Sequence, residues 1–393
     1  MVRIAVVGLG QMGLSALRIL HAQRPDAEFV AVDRSAHAVE VASRLGDNVG
    51  GWVTDVATEP LDLAEIDIVL NLAGPFFAGS DAVARAALRA GSTYVDIGDD
   101  VEATETILAL DGQARRAGVA LVTGAGLSPG VSNWMAARLL DHHPDADGVQ
   151  IAWATHESDP GGLAPLRHML HMAVNPCPVF VDGVWRQSPG FVPSTGATFQ
   201  FPQPLGEVEA FDTAHPEPIT LARHYPRLRN AGCKGALLPQ WANSAFSTLG
   251  RIGFGYSDVP VEVNGVTIEP AEFLWRLMWA RYNRKEARER TATTSVLVQA
   301  LQGQHVLETL AIIDDAVMAR GTGLGAAVAV LAALDLRPES GAWGAEALPW
   351  QTTLPLFVKL AEENHGFPAG LVDPASSNPD AARPTKAATG AQS

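Results

Sequence analysis

Residues 2–13 read VRIAVVGLGQMG, and the fold turns on this stretch. Val2–Val7 is an apolar run of strand length, and Gly8, Gly10 and Gly13 follow at G-x-G-x-x-G spacing. Leu14–Ala22 then reads as a helix. Such a strand–turn–helix unit places bare backbone and a helix N-terminus where a pyrophosphate can sit. Glycines alone would say little, because turns use them for many reasons. Here Asp33 closes the next strand twenty positions after Gly13, the offset at which a carboxylate meets ribose hydroxyls. The turn is therefore read as a dinucleotide site with contacts from Gly8, Gly10, Gln11, Met12 and Gly13. Asp33 would take the adenosine ribose, and Arg34, alternating to the other face of the strand, the adenine edge. A carboxylate at that position repels a 2′-phosphate, so NAD is expected ahead of NADP, with NADP the alternative.

Outward from the glycines, strands alternate with helices. Glu28–Val32 is a second strand, Trp52–Val53 a short third, Asp67–Leu72 a fourth, Thr93–Asp96 a fifth and Val119–Thr123 a sixth. Ser80–Ala90 and Val101–Ala117 read as helices between them, the latter broken at Gly118. Strands that are apolar on both faces and separated by helices predict a parallel, doubly wound sheet. Ligands bind such sheets beyond the carboxyl ends of the strands. Gly8–Gly13, Asp33-Arg34, Asn71–Phe76, Asp96–Asp100 and Gly124–Gly130 all follow strands, so all fall on that one edge.

The texture changes near Gly148. Val149–Thr155 reads as a strand, Leu166–Val174 as a helix, and 186–205 as a long loop rich in Pro, Gly and Ser. Pro218–Ala222 looks strand-like, and Gly232-Cys233-Lys234-Gly235 looks like a turn. Asp182-Gly183 and Asn264-Gly265 signal hairpins. Glu272–Tyr282 is an aromatic-rich helix, and Thr293–Leu301 and Val306–Asp314 read as strands paired around Gly303. This is an α+β second domain with a largely antiparallel sheet. Thr322–Leu334 is a small-residue apolar helix suited to packing back on the first domain. The expected division is a nucleotide domain over 1–130, a substrate and dimerisation domain over 131–320, a returning segment over 321–370 and a disordered tail over 371–393.

Bulk composition bounds the function. The 393 residues are 47% hydrophobic and 18% charged, with a formal net charge of -15. So acidic a chain is a poor candidate for nucleic acid or an anionic membrane surface. An anionic cofactor can still bind through backbone N–H groups. Cys177 and Cys233 are far apart and imply no disulfide framework. The longest apolar stretch, Leu324–Leu334, falls short of the roughly 20 residues of a bilayer span. A soluble cytoplasmic protein with a small-molecule substrate is expected.

Asn71–Asp100, NLAGPFFAGSDAVARAALRAGSTYVDIGDD, resembles the corresponding stretch of the saccharopine dehydrogenase family. Asn71, Gly74, Pro75 and Phe76 match its N-x-x-G-P-[FY] loop, and Gly91, Tyr94, Val95 and Asp96 its G-x-x-Y-V-D strand. Gly126–Gly130 followed by Val131-Ser132-Asn133 resembles its G-L-x-P-G loop entering a helix, and Gly341–Glu346 is loosely similar to its C-terminal segment. Ser128 stands where saccharopine reductases of the family tend to carry Asp, which makes the chain more like the lysine 6-dehydrogenase-like and unassigned branches. The resemblance implies a Rossmann-type α/β sheet with an inserted α+β domain that carries substrate and dimer contacts, hence a homodimer. It also implies NAD(P)-dependent hydride transfer at a carbon–nitrogen bond of an amino-acid or polyamine-like substrate. Alternatives are an enoyl-type C=C reductase of the same superfamily and a non-catalytic dinucleotide sensor.

On this reading Ala73, Gly74, Pro75 and Asp96 join the cofactor contacts. Ser128, Asn133 and Arg223 face substrate, Arg being suited to a carboxylate. Asp99, Lys234 and His224 are the candidate acid/base groups. Asp99 and Asp100 read most simply as a solvated acidic pair, but shielded together one would rise in pKa and could shuttle a proton. His168 and His171 share a helix face and could line a cavity. His142 and His143 read as surface residues, and His156, His168 and His171 lack zinc-ligand spacing, so no metal is expected.

Overall fold

The computed structural model describes residues 1–76, 79, 81–157, 159, 163–255, 259–284, 293–314 and 318–365. The tail expected over 371–393 lies outside them. The first unit runs β1 (Arg3–Val7), α1 (Gln11–Gln23), β2 (Glu28–Asp33), α2 (Ala36–Ser43), β3 (Val49–Val53), β4 (Ile68–Asn71), α3 (Asp81–Ala90), β5 (Thr93–Asp96), α4 (Val101–Leu108), α5 (Asp111–Ala117) and β6 (Ala120–Thr123). Ile4, Ala5, Val6 and Val7 are all buried, as a strand between two neighbours in a helix-covered sheet must be. The single helix expected over 101–117 is two helices, α4 and α5, and Gly118 at φ 69 caps the second.

α6 (Val131–His142) leads into the second unit: β7 (Gly148–His156), α7 (Leu163–Met172), β8 (Pro176–Val181), β9 (Val184–Pro189), β10 (Ala197–Gln200), β11 (Glu207–Asp212), α8 (Glu217–His224), β12 (Asn230–Leu238), α9 (Trp241–Leu249), β13 (Val261–Val263), β14 (Val266–Ile268), α10 (Pro270–Arg284), β15 (Thr294–Gln302) and β16 (His305–Asp314). Its sheet is ordered β10-β11-β12-β7-β15-β16, with β8 on β12 and β9 on β8. Only β12 and β7 run parallel. Asp182-Gly183 and Asn264-Gly265 turn two hairpins, all four residues at positive φ, as a two-residue turn matched to strand twist requires.

Three local readings are corrected. The stretch 186–205 is not one long loop, since β9 runs to Pro189 and β10 pairs with β11. Pro218–Ala222 is helical, inside α8. Pro218 falls in the first turn, where a missing N–H costs nothing and a fixed φ favours the helix. Lys234 lies within β12, directly opposite Asp212 of β11, and cross-strand attraction suits a strand there.

The chain then returns. α11 (Met318–Leu336) packs along α1, and β17 (Gly341–Gly344) adds a parallel strand beside β6. The first sheet is therefore seven-stranded and wholly parallel, ordered β17-β6-β5-β4-β1-β2-β3. α12 (Trp350–His365) packs on α6 and α11. α11 has the length and hydropathy of a membrane span, yet 78% of that stretch is buried inside the protein. Its glycines explain the depth. A Cβ on Gly323 would stand 2.7 Å from Ser15, and one on Gly325 only 2.2 Å from the Gly126 carbonyl oxygen.

Gly325→Ala is therefore expected to lower the unfolding free energy by about 2 kcal/mol or more, because rigid backbone must move to admit the methyl. In Gly112→Ala on α5 the nearest atom is the mobile end of Arg116 at 3.5 Å, so a gain of about 0.5–1 kcal/mol is expected. Urea denaturation of both variants checks the pair.

Candidate functional site

The turn after β1 is built by close backbone approach. Gly8 has φ 89, and a Cβ there would meet the Ala73 nitrogen at 2.5 Å. A Cβ on Gly13 would meet the Gly8 carbonyl oxygen at 1.8 Å. Gly10 differs, since nothing lies within 4 Å of its hypothetical Cβ, and it borders a cleft of about 550 Å³. Gly10 is also the N-cap of α1, with no side chain capping the helix. The helix dipole and its first N–H groups are left for an anion.

Asp33 stands at the other edge of the glycine loop. Its Oδ2 accepts the Leu9 N–H at 2.7 Å and its Oδ1 the Ser35 N–H at 2.8 Å, so its charge is held at the cleft wall beside Arg34. Across the cleft, Asn71 donates to the Tyr94 hydroxyl at 3.0 Å and accepts the Ala73 N–H at 3.1 Å, shaping the Leu72–Pro75 loop. Gly8, Gly10, Gln11, Met12, Gly13, Asp33, Arg34, Ala73, Gly74 and Pro75 all line the cleft. Arg167 of α7 and Trp279 of α10 close it from the second unit. An extended dinucleotide fits this cradle.

Asp96 does not belong to that set. It is 1% exposed, and its Oδ1 accepts the Gly98 N–H, the Gly124 N–H and the Thr123 hydroxyl at 2.8–2.9 Å. It lines neither the cleft nor the cavity described next. Its work is to hold the loops after β5 and β6 in position.

A second cavity of about 120 Å³ adjoins the cleft and shares Met12, Leu72, Gly74 and Pro75 with it. The first unit contributes Asp99, Asp100 and Gly126–Pro129, the second Trp153, Thr155, His168 and His215, and α11 contributes Met318 and Thr322. Gly235 of β12 makes room for the Trp153 indole, which a Cβ there would meet at 2.1 Å.

Two histidines face each other in this cavity, ring centroids 5.5 Å apart. His168 Nδ1 lies 2.6 Å from Asp100 Oδ1, which fixes that nitrogen as the donor. Its Nε2 is buried without a hydrogen-bond partner, 3.6 Å from Asp99 Oδ2. Burial works to lower the His168 pKa, but the carboxylates of Asp99, Asp100 and Glu102 overcome it and raise the value to about 9. Asp99 is pushed upward by burial and by Asp100, with His168 opposing. The solvated-pair reading of Asp99 and Asp100 is thus corrected: Asp100 is 1% exposed, and α7 of the second unit covers it.

His215 stands behind the second carboxylate, with Nδ1 3.3 Å from Glu217 Oε2. Glu217 Oε1 accepts the Ser128 and Ser132 hydroxyls at 2.5 and 3.1 Å. Burial would raise the Glu217 carboxyl, but His215 and these donors hold it below its ordinary value. Ser128 therefore lines the cavity with its hydroxyl committed to Glu217.

Four expected site residues are elsewhere. Asn133 is buried at the head of α6 and binds the Gly130 N–H, Thr220 and Glu346. Arg223 is 3.5 Å from Asp111. His224 meets Tyr225 edge to face with centroids 4.9 Å apart. Lys234 is held by Asp212 at 2.5 Å and the Thr195 carbonyl at 2.6 Å. None lines either cavity. The helical turn of α8 and the strand at 230–238 hold Arg223, His224 and Lys234 away from the linings of both cavities. His215, Glu217 and Trp153 carry no spacing signature in the sequence.

The model of the saccharopine dehydrogenase NADP binding domain matches residues 4–122. Over those residues the chain is similar to the nucleotide-binding domain of the saccharopine dehydrogenase family. The apo, histidine-tagged saccharopine dehydrogenase (L-Glu forming) of Saccharomyces cerevisiae superposes with TM-score 0.60 at 14% identity, covering 93% of this chain and 98% of that one. At that identity the likeness is one of fold, and it extends through the second unit. The scyllo-inositol dehydrogenase of Lactobacillus casei aligns over 96% of this chain and all (100%) of that one at 14% identity, with TM-score 0.44. The chain has a saccharopine dehydrogenase-like fold, and its residues 4–122 have the form of a nicotinamide dinucleotide-binding domain.

Gly10→Val is expected to keep the unfolding temperature of the free protein, because its Cβ meets no protein atom, and to abolish the temperature rise that millimolar NAD or NADP gives the wild type. Thermal-shift measurements on both proteins decide it.

Proposed function

We propose that the protein is a dehydrogenase acting at the carbon–nitrogen bond of an amino-acid or polyamine-like substrate, in the cavity at the domain junction. The observation that carries this reading is His168, buried, oriented by Asp100, with a free Nε2 beside Asp99 where the cavity meets the nucleotide cleft. The bound nicotinamide ring would accept a hydride from the substrate carbon in one direction and return it in the other. The protein's own part is to place the amine and move its proton. Asp99 faces the substrate ammonium. His168 Nε2 takes one proton from it, the carbon gives up hydride, and an iminium remains, so one proton and one hydride leave together. Asp100 keeps the ring in the required tautomer.

The pKa of about 9 assigns the direction of the pH dependence. Neutral His168 is needed to accept a proton, so amine oxidation should rise with pH and level off above about 9. Imine reduction uses the imidazolium and should fall across the same range. The groups facing His168 are Asp99, Asp100 and Glu102 from the first unit and His215 from its own. His168→Gln should lower kcat by about 10²–10⁴-fold and flatten the profile. A profile unchanged in that variant, or turnover of alcohols or enoyl compounds but no amine, would overturn the proposal. EDTA is expected to leave the rate unaltered, because Asp99, Asp100 and His168 are assigned here to proton handling.

NAD is the cofactor we assign. Asp33 holds a fixed carboxylate at the ribose position, while Arg34 and Arg167 can lie over adenine or pyrophosphate, which both cofactors share. Asp33→Ser should move the ratio of kcat/KM values toward NADP by about tenfold or more, since like-charge contact in a shielded site costs several kcal/mol. An unchanged ratio would contradict the assignment.

A further inference from the structure

The chemistry of the cavity wall distinguishes one kind of amine from another. Its charged or titratable members among the described residues are Asp99, Asp100, His168 and His215, and no lysine or arginine lines it. Asp100 is committed to His168 at 2.6 Å, and His215 is matched by the buried Glu217 at 3.3 Å. Asp99 and Asp100 flank one imidazole, at 3.6 and 2.6 Å, so the set keeps one net negative charge, and Asp99, 30% exposed, is where that charge meets the cavity. Arg223, expected to bind a substrate carboxylate, is held by Asp111, and two further cations of the chain are matched elsewhere, Lys234 by Asp212 and Arg320 by Asp314. The rest of the wall is apolar or aromatic, including Met12, Leu72, Phe76, Leu127, Trp153 and Met169.

An ammonium group entering this space meets a carboxylate, a partner that binds cations out of water, with the Trp153 indole in the same wall. A carboxylate entering it meets Asp99, an apolar wall and no guanidinium. Desolvating an anion without a partner is heavily unfavourable, and a second like charge makes it worse. We propose that the site selects an amine that carries no carboxylate — an alkyl-, aralkyl- or polyamine — and rejects the amino acid from which that amine would arise by decarboxylation. This rests on the carbon–nitrogen reading above and narrows its substrate class. It also separates the chain from a protein that handles saccharopine, whose recognition needs partners for several carboxylates.

The test compares matched pairs that differ by one carboxylate: cadaverine with lysine, putrescine with ornithine, tyramine with tyrosine. Each is offered to the wild-type protein with NAD, and both nicotinamide absorbance and unfolding temperature are read. In at least one pair the amine should show kcat/KM about tenfold or more above the amino acid, and only the amine should raise the unfolding temperature. Asp99→Asn should shrink that ratio by raising KM for the amine, while the unfolding temperature with NAD alone stays as in wild type. A higher kcat/KM for the amino acids overturns the substrate class and leaves the carbon–nitrogen reading standing. Turnover of alcohols or enoyl compounds with no amine or amino acid used overturns that reading itself. No turnover and no thermal shift with any of the six compounds overturns the proposal as well.

Discussion

The close approach of α11 to the loop Gly126–Gly130 and to α1 is the contact on which the site depends. At Gly325 the helix backbone touches the Gly126 carbonyl, and at Gly323 it touches Ser15. A larger side chain at either position would lift α11 away. Met318 and Thr322, one turn apart on the same helix, line the cavity, so its floor is set by how deeply the helix sinks. The Asp159 carboxylate accepts the Met318 N–H at 2.7 Å and ties that end of the helix to the segment after β7. Small residues here are therefore a packing device. The entropy cost of glycine in a helix is offset by the burial of a helix face against two elements at once.

The same junction explains why the ionisable groups behave as they do. Asp99 and Asp100 follow β5 on the nucleotide domain, and His168 comes from α7 of the inserted unit. Neither half alone would perturb these groups, because the loop after β5 would be open to water. Docking removes water, raises Asp99 and supplies the imidazole that compensates. His215 and Glu217 repeat the arrangement opposite, with Ser128 and Ser132 carrying the interaction back to the first unit. The titratable groups of the cavity are thus assembled by the interdomain contact and belong to neither domain.

This accounts for what could be read from the sequence. The dinucleotide cradle was legible because its constraint is local. A backbone turn that needs glycine at Gly8 and Gly13 must announce itself at fixed spacing, and Asp33 follows one crossover later. The two-residue hairpins at Asp182-Gly183 and Asn264-Gly265 were legible for the same reason. The cavity was not, because its defining contacts span long separations: 68 positions between Asp100 and His168, and 89 between Ser128 and Glu217. Arg223 and Lys234 drew notice as residue types suited to substrate. Their partners, Asp111 and Asp212, come from other elements, and sequence periodicity does not report such pairings. Asp96 misled in a related way, since a carboxylate at a strand end can serve a ligand or the neighbouring loops, and here the loops claim it.

The charge of the chain, -15 overall, is reconciled with an anionic cofactor by how that cofactor would be held. The cleft offers an uncapped helix N-terminus and the backbone of a glycine turn, whose partial charges owe nothing to side-chain composition. Arg34 and Arg167 are the guanidinium groups lining it, and burial first, then the neighbouring Arg276 and Arg34, push the Arg167 guanidinium below its ordinary value. The adjoining cavity lacks such donors and presents Asp99. Passing from cleft to cavity across Met12, Leu72, Gly74 and Pro75, the environment changes from one that receives phosphate to one that receives a cation. A substrate that is itself an amine meets this gradient in the correct sense. Its ammonium group is drawn toward the carboxylate, and the pyrophosphate is held at the other side of the boundary, so the two ligands are kept apart except at the junction where hydride must cross.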